Sequence, residues 1–141
     1  MGRKSLLIAA CVDSNIFVSG IAFGGKPLRV LERALRRDFR MITSVVIMNE
    51  VRRNLVGKLG LSSRRVDDFL TDILAVSSAY VPTGEVTFIS HPGDDLVLEV
   101  SLMSGADVLV TGDRRHLLPL NPFKGLTIEP PSAFLRRLDG L

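Results

Sequence analysis

The 141-residue chain contains one cysteine, Cys11, and two histidines, His91 and His116. A lone cysteine excludes an internal disulfide, and these three residues do not assemble a zinc site of ordinary ligand count. Neither histidine sits in a recognisable nucleophile motif, so a serine hydrolase has no support and both are expected in loops or on the surface. With no tryptophan and one tyrosine, base stacking is a poor source of sequence selectivity. Long apolar runs are missing too: no stretch approaches the roughly 18 residues of a membrane span. Arg3 and Lys4 precede an apolar run, and Ile8-Ala9-Ala10-Cys11 is similar to a lipoprotein cleavage box. The run before Cys11 is shorter than the roughly 7–15 residues of a secretory signal. A soluble, cytoplasmic chain with no membrane segment is expected.

What the chain does have is aliphatic residues. Hydrophobic side chains make up 46% of the sequence, enough for a packed core in one domain covering 1–141. The net charge of +3 is too mild to announce a nucleic-acid partner by itself.

The continuous apolar run over residues 6–12 reads as a central strand of a parallel sheet, buried on both faces. A short helix follows near Ser14, and Pro27 opens a second that runs to about Arg37. FRMITS predicts another strand, and Ser44 caps a helix to about Val56 that carries Glu50. Ser62-Ser63 cap a helix whose Val66, Phe69, Leu70, Ile73 and Leu74 recur at helical spacing. Residues 79–82 and 86–89 read as short strands. A buried helix runs from Asp94 or Asp95 to Gly105, followed by the strand VLVTGD, a short helix at Arg114–Leu118, a strand near LTIEP and a last helix from Ser132. This alternation predicts an α/β fold, a three-layer sandwich with a mainly parallel central sheet flanked by helices.

Four acids stand where apolar sequence gives way abruptly: Asp13, Glu50, Asp95 and Asp113. Singly each has a plainer role as a helix cap or a first-turn acid. Together they point to a site, because ligands of open α/β sheets bind beyond the carboxyl ends of the strands, where Asp13 and Asp113 lie. Crowded carboxylates repel unless a cation compensates, and oxygen-only ligation selects Mg²⁺ or Mn²⁺. Such an ion can activate water and neutralise a phosphodiester, which is nuclease chemistry. Glu99 lies four residues from Asp95 on one helix face and is a candidate accessory ligand.

The residues VDSN, the distal VLVTGD, and the stretches GGKPLRVLERALRRDFRMITSVVIMNEV, HPGDDLVLEVSLMSGADVLVTGDRRHLLPL and IEPPSAFL cover nearly the whole chain. On these the chain resembles the PIN-domain nucleases, and most closely the branch of toxins from toxin–antitoxin systems. The resemblance implies that Asp13, Glu50, Asp95 and Asp113 form the acidic quartet, with Asp95 preferred over its neighbour Asp94 on its spacing to Asp113. Ser14 and Asn15 match the hydroxyl and asparagine after the first aspartate. Ser44 and Thr111 match hydroxyl positions suited to orienting carboxylates or water. The basic run Arg114-Arg115-His116 stands where some relatives carry another acid, which leaves one-metal and two-metal arrangements both open. An RNA substrate, a homodimer and an antitoxin partner are further implications.

Neutralising the four acids would leave the 18 basic residues in greater excess and favour a polyanion. Of the arginine pairs, Arg114-Arg115 adjoins Asp113 and is the candidate contact to the phosphate backbone. Phosphotransfer enzymes and receiver domains also place an aspartate after the first strand. The former typically carry a second aspartate two residues on, where this chain has Asn15, and the only late lysine, Lys124, lacks a strand context. The non-enzymatic alternative is an RNA- or protein-binding module on the same fold with weak or no catalysis.

Overall fold

The computed structural model describes residues 7–140. Arg3, Lys4 and the expected strand start at Leu6 lie outside that range. Strands β1 (Ala9–Val12), β2 (Arg40–Thr43), β3 (Ser77–Ala79), β4 (Val108–Val110) and β5 (Thr127–Glu129) form one sheet in the order β3-β2-β1-β4-β5. Every pairing is parallel. All residues of β1 and β4 are buried. Since successive strand side chains point to opposite faces, both faces of the sheet are covered, which is why these strands read as unbroken apolar runs.

The helices are α1 (Ser14–Phe23), α2 (Gly25–Leu35), α3 (Val45–Arg52), α4 (Ser63–Ala75), α5 (Pro92–Met103) and α6 (Pro131–Asp139). They flank the sheet as an α/β sandwich. Helix α5 packs on β1, β2 and β4, whereas α2 packs on α1, α4 and α6. One connected core runs through Phe17, Leu31, Ile42, Leu98, Leu109 and Phe134, and Phe39 meets Phe134 edge to face at 4.9 Å. No helix among the described residues is long and apolar enough to cross a membrane.

Several local expectations shift. Helix α3 continues through a π-helical segment, Arg53–Lys58, which Gly60 closes with φ 70°. Strand β3 begins at Ser77 rather than at 79. It is an edge strand, so polar Ser77 and Ser78 fit it although they carry no apolar signal. Residues 86–89 form no strand, because the backbone N–H groups of Phe88 and Ile89 donate to the Asp95 carboxylate instead of a neighbouring strand. The short helix expected at 114–118 is a turn, followed by a 3₁₀ segment at Leu118–Leu120. Pro119, with no N–H to give, suits that short segment.

Strand order places the candidate acids. Connections from β1 move outward through β2 and β3, and the chain then returns to the other side of β1 for β4 and β5. The carboxyl ends of β1 and β4 therefore flank the point where the direction of winding reverses, the usual place for a crevice in such sheets. Asp13 follows β1 directly, and Thr111 and Asp113 follow β4.

Candidate active site

Asp13 is 6% exposed. Its backbone N–H donates to the Val110 carbonyl at 3.0 Å, extending the β1–β4 ladder by one rung. Its side chain caps α1 by accepting from Ser14 N–H at 2.8 Å. The other carboxylate oxygen accepts from Thr111 Oγ1 at 2.7 Å. Thr111 Oγ1 in turn accepts from the Asp113 N–H at 3.0 Å, so one fully buried hydroxyl ties together the ends of β1 and β4. Ser14 Oγ donates to Glu50 Oε2 at 2.7 Å and brings α3 to the same place.

The electrostatics describe one cluster. Burial pushes the Asp13 carboxyl up to about 6, with repulsion from Asp94 and Glu50 adding to it and the bonds from Thr111 and Ser14 opposing it. Asp94 is also raised, first by burial and then by repulsion from Asp113, with His116 and His91 pulling the other way. Burial would raise Asp113 as well. The N–H groups of His116 and Arg115, both donating to Asp113 Oδ1 at 3.0 Å, together with the His116 ring hold it below the ordinary range. Asp13 thus shares its electrostatic surroundings with Glu50 and Asp94, and Asp94 with Asp113, near the carboxyl edge of the sheet.

Asp95 and Glu99 point elsewhere. Asp95 Oδ1 accepts from Phe88 N–H at 3.1 Å and Ile89 N–H at 2.9 Å, and its side chain lines a cleft with Gly84, Thr87 and Ser90. Glu99 accepts from Thr83 N–H and Thr83 Oγ1 at 2.8 and 2.9 Å and from Gly84 N–H at 3.2 Å. The Thr83 N–H bond leads in holding Glu99 below its ordinary range. Both acids tie down the connection between β3 and α5. The sequence prefers Asp95 on its spacing, whereas Asp94 is the member of the pair coupled electrostatically to Asp13 and Asp113. Glu99 Oε2 is engaged by Thr83 and its Oε1 by Gly84, on the side of the connection into α5.

The remaining candidates separate in the same way. Asn15 is exposed, and its Oδ1 lies beside Gly112. Ser44 is buried and caps α3 through a 3.1 Å bond from Val46 N–H. Arg114 and Arg115 are exposed and enter no ion pair among the described residues, unlike Arg52 with Asp67 and Arg137 with Glu129. Cys11 is wholly buried in β1, where desolvation pushes its thiol up to about 12, so it is a core side chain here. The sequence reading missed the two imidazoles. His116 Nδ1 lies 3.5 Å from Asp113 Oδ2 and 3.7 Å from Asp94 Oδ2, and the ring centroids of His91 and His116 are 4.0 Å apart.

A family model described as PIN domain matches residues 9–115. The chain belongs to the PIN domain family. No curated protein matches it. The matched segment begins at β1 and runs past Asp113, so it contains all four clustered acids. PIN domains are generally nucleases that act on nucleic acids and typically use divalent metals, and membership supports a nuclease here. The donor set is chemically suited to such an ion: all four are carboxylates, Asp13 is coupled to Glu50 and Asp94, and Asp94 to Asp113, and neighbouring carboxylates favour a compensating cation.

Proposed function

We propose that this PIN domain is a metal-dependent ribonuclease that hydrolyses phosphodiester bonds of single-stranded RNA, acting as the toxin of a toxin–antitoxin pair in the cytoplasm. The observation that carries the reading is the buried Asp13 carboxylate, coupled electrostatically to Asp94 and Glu50 and tied through Thr111 to the Asp113 backbone. Asp13, Glu50, Asp94 and Asp113 would hold Mg²⁺ or Mn²⁺, ions suited to all-oxygen ligation. Once bound, such an ion supplies Lewis acidity toward a phosphoryl oxygen and a more acidic water.

The chain's own groups do the rest. Thr111 and Ser14 fix carboxylate orientation from behind, a role that typically affects metal affinity or activity about 10–100-fold. Ser44 shapes the start of α3, and Asn15 borders the opening beside Gly112. Arg114 and Arg115, exposed next to Asp113 and without acidic partners among the described residues, are the proposed phosphate contacts. An antitoxin and a second copy of the chain are the proposed protein partners. The test is incubation of the purified chain with single-stranded RNA and Mn²⁺ or Mg²⁺. Cleavage that chelator stops, Mn²⁺ restores and Asp113→Asn abolishes is expected; cleavage untouched by chelator refutes the mechanism. A binding module without catalysis would retain RNA and leave it intact.

A further inference from the structure

Beside the four acids lies a second donor set of different chemistry. His91, Asp94 and His116 each offer one ligand atom, and these atoms all lie within 4.8 Å of one another. Tetrahedral metal–ligand bonds of about 2.0–2.1 Å place two ligands of one ion about 3.3–3.4 Å apart. The His116 Nδ1 to Asp94 Oδ2 distance of 3.7 Å is within a few tenths of an ångström of that, and the exposed His91 side chain has room to adjust.

The backbone holds the three residues ready. The His91 carbonyl accepts from Asp95 N–H at 2.7 Å as α5 begins, so His91 and Asp94, three apart, share one side of the first turn. His116 comes from the loop after β4, where its N–H is anchored on Asp113 Oδ1 at 3.0 Å. His91 is exposed and the other two are half-buried, which leaves room for water to complete the coordination.

We propose that His91, Asp94 and His116 form a transition-metal site that takes Zn²⁺ in preference to Mg²⁺. Two imidazole nitrogens and one carboxylate, with an open position, make the three-protein-ligand set of open zinc sites. Imidazole suits zinc and its neighbours in the transition series, whereas Mg²⁺ keeps to oxygen and water. If occupied, this set would run against the expectation that two histidines and one cysteine assemble no zinc site of ordinary ligand count, because its third ligand is a carboxylate from a residue read as a helix-start acid. His116 lies one residue past the matched PIN segment, so family membership does not supply this ligand. The site shares Asp94 with the acidic cluster but stands whether or not RNA is the substrate.

The test is calorimetric titration of the chelator-stripped full chain with ZnCl₂ and, separately, MgCl₂, together with ring ¹⁵N shifts of both histidines. One Zn²⁺ per chain is expected, with both rings shifting and affinity falling about tenfold or more in His91→Gln and in His116→Gln. Mg²⁺ binding changes little in those variants. Glu50→Gln, which alters the acidic cluster without touching an imidazole, keeps its Zn²⁺ affinity within about twofold. Unchanged zinc affinity in both histidine variants, or a loss in Glu50→Gln as large as theirs, overturns the proposal. Absence of RNA cleavage would strike only the nuclease reading, since no substrate enters these titrations.

Discussion

Thr111 Oγ1 stands 2.7 Å from Asp13 Oδ2 and spends its own acceptor capacity on the Asp113 N–H. That hydroxyl couples the position of one strand-end acid to the backbone of the other. Thr111→Val keeps the shape and removes both bonds, leaving a buried carboxylate oxygen and an N–H without partners. Destabilisation of about 1–3 kcal/mol is expected, with RNA cleavage down about 10–100-fold. Thr111→Ser should recover most of the activity. Denaturant melts and cleavage rates read the two effects separately, and full activity in Thr111→Val would remove the coupling from the account.

Asp94 and Asp95 are adjacent yet should respond in opposite ways. Asp94→Asn takes a charge out of the cluster and should reduce Mn²⁺ affinity and cleavage by about tenfold or more. Asp95→Asn keeps an oxygen able to accept from Phe88 and Ile89, so cleavage should stay within a few-fold of the original. Mn²⁺ titration of the two variants side by side is the check, and a larger loss in Asp95→Asn would support the choice implied by the family spacing.

The two acids also show what the sequence could and could not reveal. Asp13 and Asp113 were legible because each follows a short apolar strand, and a parallel sheet sends both strand ends to one edge. Choosing between Asp94 and Asp95 needed the helix rotation, since consecutive helical residues differ by about 100° in direction. Helix α5 is apolar on nearly all sides and so carries no amphipathic stripe to orient it. The i to i+4 relation of Asp95 and Glu99 was legible, but the face they share holds the connection after β3, a segment with little periodic signal of its own. The pairing of His91 with His116 was illegible for another reason: it joins the start of α5 to the turn after β4, which meet only in the folded chain.

Glu99→Ala removes three bonds from Thr83 and Gly84. Hydrogen bonds to a charged group contribute about 1.5–3 kcal/mol, and a loss in that range is expected with cation affinity retained. Amide hydrogen exchange should accelerate at Thr83 and Gly84. Lost Mn²⁺ binding in a folded Glu99→Ala chain would instead make Glu99 a ligand.

Asp13 gives the cation-free protein a defined pH response. Its carboxyl titrates at about 6 in the folded chain against the ordinary 3.8, so the folded state holds the proton more tightly. The stability from this group is complete below pH about 4 and is lost as pH rises through about 6, a change of about 3 kcal/mol in all. Asp13→Asn lacks this titration. Urea melts of cation-free protein between pH 4 and 7 should show the original chain losing stability relative to Asp13→Asn; parallel curves would contradict the burial argument.

Arg114 and Arg115 should act through the phosphate backbone. Alanine at either position is expected to raise KM more than it lowers kcat, and to reduce the salt dependence of RNA affinity by about one counterion each. Cleavage and binding measured across a salt series provide the test.

Central to all of this is the proposal that a divalent cation is held between the ends of β1 and β4. Crystals of the full chain soaked in MnCl₂ and measured for anomalous scattering locate that ion directly. A manganese peak bound by Asp13 and Asp113, and lost in Asp13→Asn crystals, is the predicted result; a soaked crystal with manganese bound elsewhere and none at Asp13 would contradict it.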